Sequence, residues 1–304
     1  MSLTRASGEG SDGSRPRTVA PEGVRYREAP MTRLKEYVGG RELLANLTLR
    51  ELRGKYKRSV LGWGWSLLNP LASIAIYWLV FGIFLKIKPP TGDPSGLSSF
   101  ALFLICGLLP WTFFQMGVES SPDTLISNGN LIKKVYFPRE ILVIASTTSI
   151  LVNFAIELAV LGVILLVAGN MVLPWIPILV VLVAIEFILV LGLALLLSVL
   201  NVYFRDVKHF VSLAMKILFY TVPVVYPLSL VPKHKEVAGL SIPVRQLYEL
   251  NPLVAMIECF RAVLYDLRFP SLGDFTYFLA WAVAFFAFGW WIFSKLEPRL
   301  AEEV

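Results

Sequence analysis

The sequence PILVVLVAIEFILVLGLALLLSVL occupies residues 177–200 and contains one charged side chain, Glu186. As a helix rising about 1.5 Å per residue it extends about 36 Å, which exceeds the roughly 30 Å hydrocarbon core of a bilayer. An uninterrupted apolar run of this length is typical of a transmembrane helix. It predicts that the chain is embedded in a membrane.

Five further stretches are similarly long, apolar and almost free of charge. They are residues 67–85, 100–118, 141–168, 211–231 and 275–293. The composition agrees, because 56% of the 304 residues are hydrophobic and 16% are charged, whereas soluble domains contain about 25% charged residues. The predicted fold class is therefore an all-α membrane protein with six transmembrane helices.

Two different segments precede the first of these stretches. Residues 1–30 are rich in Gly, Ser, Pro and Arg, a composition typical of a disordered basic tail. Residues 31–58 place leucines at helical spacing among basic side chains. This pattern predicts an amphipathic helix in the membrane interface, with a soluble surface helix as the alternative. The transmembrane domain accordingly comprises residues 31–304.

Polar residues interrupt the apolar region 247–267, which lies between the last two stretches. They are Asn251, Pro252, Glu258, Arg261 and Asp266. The lipid interior is too apolar an environment for a helix with so many polar side chains. We therefore expect re-entrant helices here, buried between protein segments on the external side of the membrane.

Lysine and arginine are distributed unequally between the two sets of connecting segments. The N-terminal segment, the second-to-third loop, the fourth-to-fifth loop and the C-terminus together contain 20 of these residues, and the opposite segments contain 7. Since cytoplasmic segments carry the excess of basic residues, both termini are predicted to be cytoplasmic.

The sequence lacks the motifs that common classes of enzyme require. It contains no Gly-x-x-x-x-Gly-Lys-Ser/Thr loop for nucleotide phosphates. His209 and His234 fall on opposite predicted sides of the membrane, and Cys106 and Cys259 match no metal-binding spacing. We expect no catalytic residues, no metal or cofactor in the chain itself and no nucleic-acid partner.

Two carboxylates, Glu157 and Glu186, lie near the middle of predicted spans. A bare carboxylate at that depth is costly, so each is expected to be neutral, paired or facing a polar cavity. A proton relay or transport path is one interpretation, and an interhelical contact is the other.

Aromatic side chains are concentrated in the predicted first and fifth spans. The candidates for lining a channel are Tyr77, Phe81, Phe84, Tyr220 and Tyr226. Aromatic faces with a few hydroxyls suit sugar rings, but an ordinary interfacial belt also explains such residues.

The most distinctive loop connects the second and third predicted spans. It begins with the turn signal Asn128-Gly129-Asn130 and contains a short amphipathic stretch before Pro138. On the predicted cytoplasmic side, such a short helix is a docking element for a soluble partner, although an ordinary basic loop is the alternative. The residues concerned are Asn130, Leu131, Ile132, Lys133, Lys134, Val135, Tyr136, Phe137, Pro138, Arg139 and Glu140.

Four motifs, in the same order, resemble those of a known family. They are RELRGKYKRSVLGWGWSLLNPL (residues 50–71), NLIKKVYFPRE (130–140), NVYFRDV (201–207) and YELNPL (248–253) followed by Phe260-Arg261. The chain resembles the permeases of type-2 ABC exporters, and more narrowly the subfamily that exports O-antigen, teichoic acid and related cell-envelope polysaccharides. The resemblance covers about residues 31–296.

This resemblance implies a homodimer that binds two copies of a separate cytoplasmic ATP-binding subunit. ATP and Mg would be held by that partner subunit, which would contact residues 130–140 as a coupling helix. The resemblance further implies a multi-pass protein of the bacterial plasma (inner) membrane that is not itself an enzyme. The implied cargo is a polysaccharide on a polyprenyl diphosphate lipid, moved outward from the cytoplasmic leaflet.

Basic residues before the first span suit the diphosphate of such a lipid, because cationic side chains at the interface bind phosphate. They are Arg53, Lys55, Lys57 and Arg58. Three rival functions remain open: a proton-coupled transporter that uses Glu157 and Glu186, an ABC exporter of small lipophilic molecules, and a membrane glycosyltransferase. The last requires an acidic metal-binding pair in a cytoplasmic loop, which the sequence lacks.

Overall fold

A computed structural model describes most of the chain. The described residues are 30–56, 62–65, 68, 71, 72, 75, 76, 78–84, 90–135, 137–232, 235–237 and 240–303. The predicted tail, residues 1–30, lies outside them except for Pro30, and seven of the 19 residues of the predicted first span, 67–85, also lie outside. The chain divides into two compact units, residues 1–39 and residues 40–304. Residues 30–39 of the first unit are helical.

The regular elements of the described part are helices and one pair of short antiparallel strands, joined by turns and loops. The α-helices are α1 (Pro30–Tyr56), α2 (Phe100–Ser127), α3 (Gly129–Lys134), α4 (Glu140–Val167), α5 (Ile176–Tyr203), α6 (Val207–Thr221), α7 (Val244–Glu249), α8 (Pro252–Arg261), α9 (Leu272–Leu296) and α10 (Leu300–Glu303). Short 3-10 helices cover Gly62–Gly64, Leu173–Trp175, Leu228–Leu230 and Glu297–Arg299, and π-helical segments cover Trp78–Phe84 and Ala262–Asp266. The strands are β1 (Lys235–Val237) and β2 (Leu240–Ile242), with Lys235 opposite Ile242.

Four helical stretches among the described residues are long and apolar enough to cross a membrane. They are Phe100–Lys134, Glu140–Val167, Leu173–Tyr203 and Leu272–Arg299. These stretches contain α2, α4, α5 and α9, which coincide with four of the six predicted spans. A count of six spans stays a prediction.

The predicted fifth span, 211–231, is not one continuous helix in the structure. Helix α6 ends at Thr221, and Val222 has an extended backbone with ψ 139°. The physical reason is Pro223, which has no N–H to donate and disfavours the helical conformation of the residue before it. The chain then turns and forms only the short 3-10 helix Leu228–Leu230.

The region 247–267 contains the end of α7, all of α8 and the π-helical segment Ala262–Asp266. Asn251 caps α8 by accepting a hydrogen bond of 3.0 Å from the Leu253 N–H, and Pro252 occupies the first helical position. Most of α8 is buried, as expected for helices enclosed by protein segments. The membrane depth of this region stays a prediction.

Helix α5 contacts α2, α4 and α9 and so occupies the middle of the bundle. Its contact with α9 includes a close approach at a pair of glycines, Gly192 and Gly289. A Cβ atom placed on Gly289 would lie 2.0 Å from the Gly192 carbonyl oxygen. The absence of side chains at both positions therefore permits the two backbones to touch.

The ends of the four long helices group into two sets. At one end, the Asn201 amide donates to the Pro122 carbonyl over 2.9 Å, and the Tyr203 hydroxyl donates to the Leu296 carbonyl over 3.2 Å. We call this the basic end, and its described residues are 40–54, 128–135, 137–140, 201–208 and 296–299. The opposite end comprises residues 90–99, 168–175 and 261–272. The two groups contain the same kinds of connecting segment as the two sides predicted from lysine and arginine, and which end faces the cytoplasm stays a prediction.

Candidate functional site

The short helix α3 lies at the basic end, directly after a turn at Asn128. The Asn128 side-chain amide donates to the Thr124 carbonyl at the end of α2 over 2.9 Å, and the Leu131 N–H donates to the Asn128 carbonyl over 2.9 Å. These bonds satisfy backbone groups that the end of one helix and the start of the next would leave unpaired. The structure forms a helix at Gly129–Lys134 within this loop, and its role as a coupling helix stays a prediction.

Helix α3 has one buried side and one exposed side. Ile132 is buried and belongs to an apolar cluster that includes Leu47 of α1 and Leu125 of α2. Asn130, Lys133 and Lys134 are exposed, as is Val135 directly after the helix. The helix is therefore anchored on the bundle by an apolar side chain while its polar side remains accessible.

The residues after α3 connect the loop to the C-terminal part of the chain. Arg139 donates a hydrogen bond to the Glu297 carbonyl. Phe137 and Pro138 are half-buried, and Glu140 is buried in the first turn of α4, where a carboxylate favours the helix dipole. Tyr136 lies outside the described residues.

Helix α1 contributes an arginine that contacts the turn before α3. The Arg50 guanidinium donates to the Asn128 side-chain oxygen over 2.6 Å and pairs with Glu51 over 3.0 Å. Together with Arg53, Arg50 lines an open groove of about 600 Å³. Of the other proposed phosphate ligands, Lys55 lies in α1 with its side chain undescribed, and Lys57 and Arg58 lie outside the described residues.

The two carboxylates predicted within spans occupy different environments. Glu186 of α5 is fully buried, and neither of its carboxylate oxygens has a hydrogen-bond partner among the described residues. Glu157 of α4 is half-buried and has an interaction partner. The structure does not bring them together into a described relay.

The candidate aromatic residues fall into two separate groups. Phe81 and Phe84 lie in the π-helical segment Trp78–Phe84. Phe84 is 70% exposed, and the centres of the Phe81 and Phe100 rings are 4.9 Å apart. Tyr220 is 71% exposed at the end of α6, and its carbonyl accepts a 3.1 Å hydrogen bond from the Tyr226 hydroxyl. Tyr77 lies outside the described residues.

At the opposite end, a buried arginine occupies a site that is visible in the sequence only as a polar interruption of an apolar region. Arg261 is 3% exposed. It donates to the carbonyl oxygens of Pro223 and Val224, each over 2.7 Å, and pairs with Glu258 over 3.3 Å. Burial raises the pKa of the Glu258 carboxyl, with the Arg261 guanidinium acting in the opposite direction. The signal for this site was a charged residue in an otherwise apolar segment.

A second polar network connects the π-helical segment Ala262–Asp266 to the loop before α2 and to the turn after α4. The Tyr265 hydroxyl lies 2.8 Å from the Pro90 carbonyl oxygen and 2.9 Å from that of Leu97. The Asn170 side-chain amide donates to the Leu264 carbonyl over 2.8 Å. These bonds pair backbone groups that are buried at the opposite end.

Taken together, these features define an integral membrane protein whose basic end presents an anchored short helix. Residues 42–265 match the family described as ABC-2 type transporter, and the chain therefore belongs to that family. It is 31% identical to the O-antigen export system permease protein RfbA of Klebsiella pneumoniae over 270 residues, which cover 86% of this chain and 94% of that protein.

Two further relatives extend this comparison. The O-antigen export system permease protein RfbA of Myxococcus xanthus is 29% identical over 277 residues, covering 89% of this chain and 98% of that protein. The polysialic acid transport protein KpsM of Escherichia coli is 24% identical over 197 residues, covering 62% of this chain and 70% of that protein.

Proposed function

We propose that this chain is the membrane subunit of an ATP-driven exporter of cell-envelope polysaccharide. In this proposal two copies of the chain form a conduit, and two copies of a cytoplasmic ATP-binding subunit dock at the basic end. The cargo is a polysaccharide linked to a polyprenyl diphosphate lipid. It moves from the cytoplasmic to the outer side of the bacterial plasma membrane.

The observation that carries this proposal is the match to O-antigen export permeases over almost their whole length. A match confined to one motif would support the fold alone, whereas this one includes both the basic end and the opposite end. The absence of a nucleotide-binding loop from the sequence supports an external source of energy.

The geometry of α3 suits the transfer of motion from a docked partner. Its exposed side is available for contact, and its buried Ile132 packs in the same cluster as Leu47 and Leu125. The Arg50–Asn128 hydrogen bond adds a polar connection to α1. A displacement of α3 would therefore be passed to α1 and α2 together, because packed interiors transmit strain.

The exposed aromatic side chains suit a path for sugar. Tyr220 and Phe84 are each about 70% exposed in the single chain, so both are available to a second copy or to cargo. Rings that stack on apolar sugar faces, with hydroxyls nearby, bind glycans without requiring one sequence of sugars. This property would suit a polymer that slides past the same residues.

The direct test is co-expression with a candidate ATP-binding subunit, followed by purification through a tag on this chain. The proposal expects a stable complex whose ATP hydrolysis rises when lipid-linked polysaccharide is added. A chain that purifies alone from cells containing every such subunit, and that stimulates no ATP hydrolysis, would contradict it.

The first functional prediction concerns the basic residues of the interface. Changing Arg53, Lys55, Lys57 and Arg58 to glutamine should lower export by roughly tenfold or more, because each charge near the membrane surface contributes about 1 kcal/mol of attraction to anionic groups. Binding of the ATP-binding subunit should be retained. The measurement is surface polysaccharide together with the yield of the purified complex, and unchanged export would remove these residues from lipid-diphosphate binding.

The second prediction separates ATP-driven from proton-coupled transport. Glu157→Gln combined with Glu186→Gln should leave more than half of the export rate, because ATP hydrolysis supplies the energy and glutamine preserves side-chain shape. The measurement is export at several external pH values. Abolished export by a folded double variant, with wild-type ATP hydrolysis, would favour a proton-coupled mechanism instead.

A further inference from the structure

The segment after α6 contains backbone carbonyls that would accept hydrogen bonds if the helix continued. Because Pro223 ends the helix, no following helical turn supplies N–H groups that could donate hydrogen bonds to the carbonyls of Pro223 and Val224. Both residues are buried. A buried carbonyl without a donor destabilises the folded state, so this break requires donors from elsewhere in the chain.

Arg261 supplies those donors. Its two terminal nitrogens reach the Pro223 and Val224 carbonyl oxygens over 2.7 Å each, and the Tyr226 carbonyl lies 3.5 Å from one of them. The planar guanidinium presents donors in a fixed fork, which an ammonium group does not reproduce. One side chain from α8 thus satisfies adjacent carbonyls of the broken segment.

The surroundings of Arg261 are built for a guanidinium in this position. Its Cζ lies 4.0 Å from the centre of the Phe103 ring, a cation–π contact, and Glu258 provides a partly exposed counter-charge. Gly107 of α2 leaves the space that the group occupies. A Cβ on Gly107 would lie 2.9 Å from one guanidinium nitrogen, 3.0 Å from Nε and 3.1 Å from Cζ.

We propose that Arg261 is a positioning residue that fixes the segment Val222–Tyr226 and thereby sets the outer part of the conduit. This inference rests on the proposed function. The segment carries Tyr226, whose hydroxyl bonds to the Tyr220 carbonyl over 3.1 Å. Arg261 therefore acts on cargo through these tyrosines and not by contact with it.

The chain contains two native reporters of this site. Cys106 is adjacent to Gly107, Cys259 lies two residues before Arg261, and both are free thiols with no exposed surface. Loosening of the Arg261 contacts should expose them transiently to a maleimide reagent. Cys106→Ala and Cys259→Ala variants assign the label to one thiol or the other.

The experiment compares Arg261→Lys and Gly107→Ala in the complex with the ATP-binding subunit, in membranes. Each should accelerate maleimide labelling by about tenfold or more, the factor expected when local opening is no longer opposed by a charge-assisted hydrogen bond. Each should also slow export. Arg268→Lys, an exposed arginine at the same end, is the matched control and should change neither measurement.

A double variant distinguishes positioning from general damage. Since both substitutions break the same contact, Arg261→Lys with Gly107→Ala should export no more slowly than the slower single variant. Independent effects that multiply would overturn the proposal, as would wild-type labelling or wild-type export in the single variants. If the unaltered complex exports no polysaccharide, the proposed function fails, whereas the labelling rates still test the role of Arg261.

Discussion

Gly289→Ala is expected to destabilise the protein more than any other single methyl addition among the described glycines. The new Cβ would lie 2.0 Å from the Gly192 carbonyl oxygen and 2.8 Å from its carbonyl carbon. Both atoms belong to backbone, so no side-chain rotation relieves the clash and helices α5 and α9 must separate. Overpacking of this kind costs about 1–3 kcal/mol and occasionally more.

The measurement is the temperature at which half of the purified protein loses its folded, monodisperse state. Gly162→Ala is a matched control, because Gly162 lies in the long helix α4 with nothing within 4 Å of its added Cβ. Alanine in a helix is favoured over glycine by roughly 0.5–1 kcal/mol, so the control should be neutral or stabilising. Equal stability of the two variants would show that α5 and α9 do not touch at these glycines.

Truncation of the exposed side of α3 is expected to uncouple the chain from its ATP-binding subunit. The combined change Asn130→Ala, Lys133→Ala and Val135→Ala removes three exposed side chains and keeps the buried anchor Ile132. A few residues usually carry most of the binding free energy of an interface, and loss of about 1.4 kcal/mol among the three is enough to weaken retention of the partner by roughly tenfold. Export should fall to background.

The control for this variant is Arg268→Ala with Phe269→Ala, which removes an exposed charge and an exposed ring at the opposite end. It should bind the partner normally. The retained Lys134 and Arg139 keep positive charge in the loop, so the orientation of the protein should not change. Normal partner binding by the α3 variant would contradict the docking role of this helix.

Much of the fold follows from length and hydropathy, because a bilayer imposes one minimum length on every spanning helix. Helices α2, α4, α5 and α9 were predictable on that basis. The turn at Asn128 was predictable from its local sequence, since Asn and Gly are typical turn residues. These are features that a few neighbouring residues decide.

The end of α6 was not predictable in the same way. Proline is tolerated within many transmembrane helices, so Pro223 alone did not indicate that the helix stops at Thr221. The break is stabilised by Arg261, which comes from a different helix. Hydropathy averages over neighbouring residues and contains no information about such a long-range donor.

The sequence was sufficient to predict which segment forms the candidate site, but not which of its side chains are exposed. The sequence predicts residues 130–140 as a docking segment, but it did not distinguish Ile132, which is buried, from Lys133, which is exposed. That distinction depends on Leu47 and Leu125, which come from other helices. The same limitation applies to Gly192 and Gly289, whose closeness depends on the crossing of two separate helices.

The central claim is that this chain forms a conduit whose energy comes from a separate ATP-hydrolysing subunit at the basic end. The most direct measurement is polysaccharide transport into liposomes that contain the purified chain, with and without that subunit. The account predicts transport only when the chain, the subunit and ATP are all present. Transport by the chain alone, or transport that continues when ATP is replaced by a non-hydrolysable analogue, would contradict it.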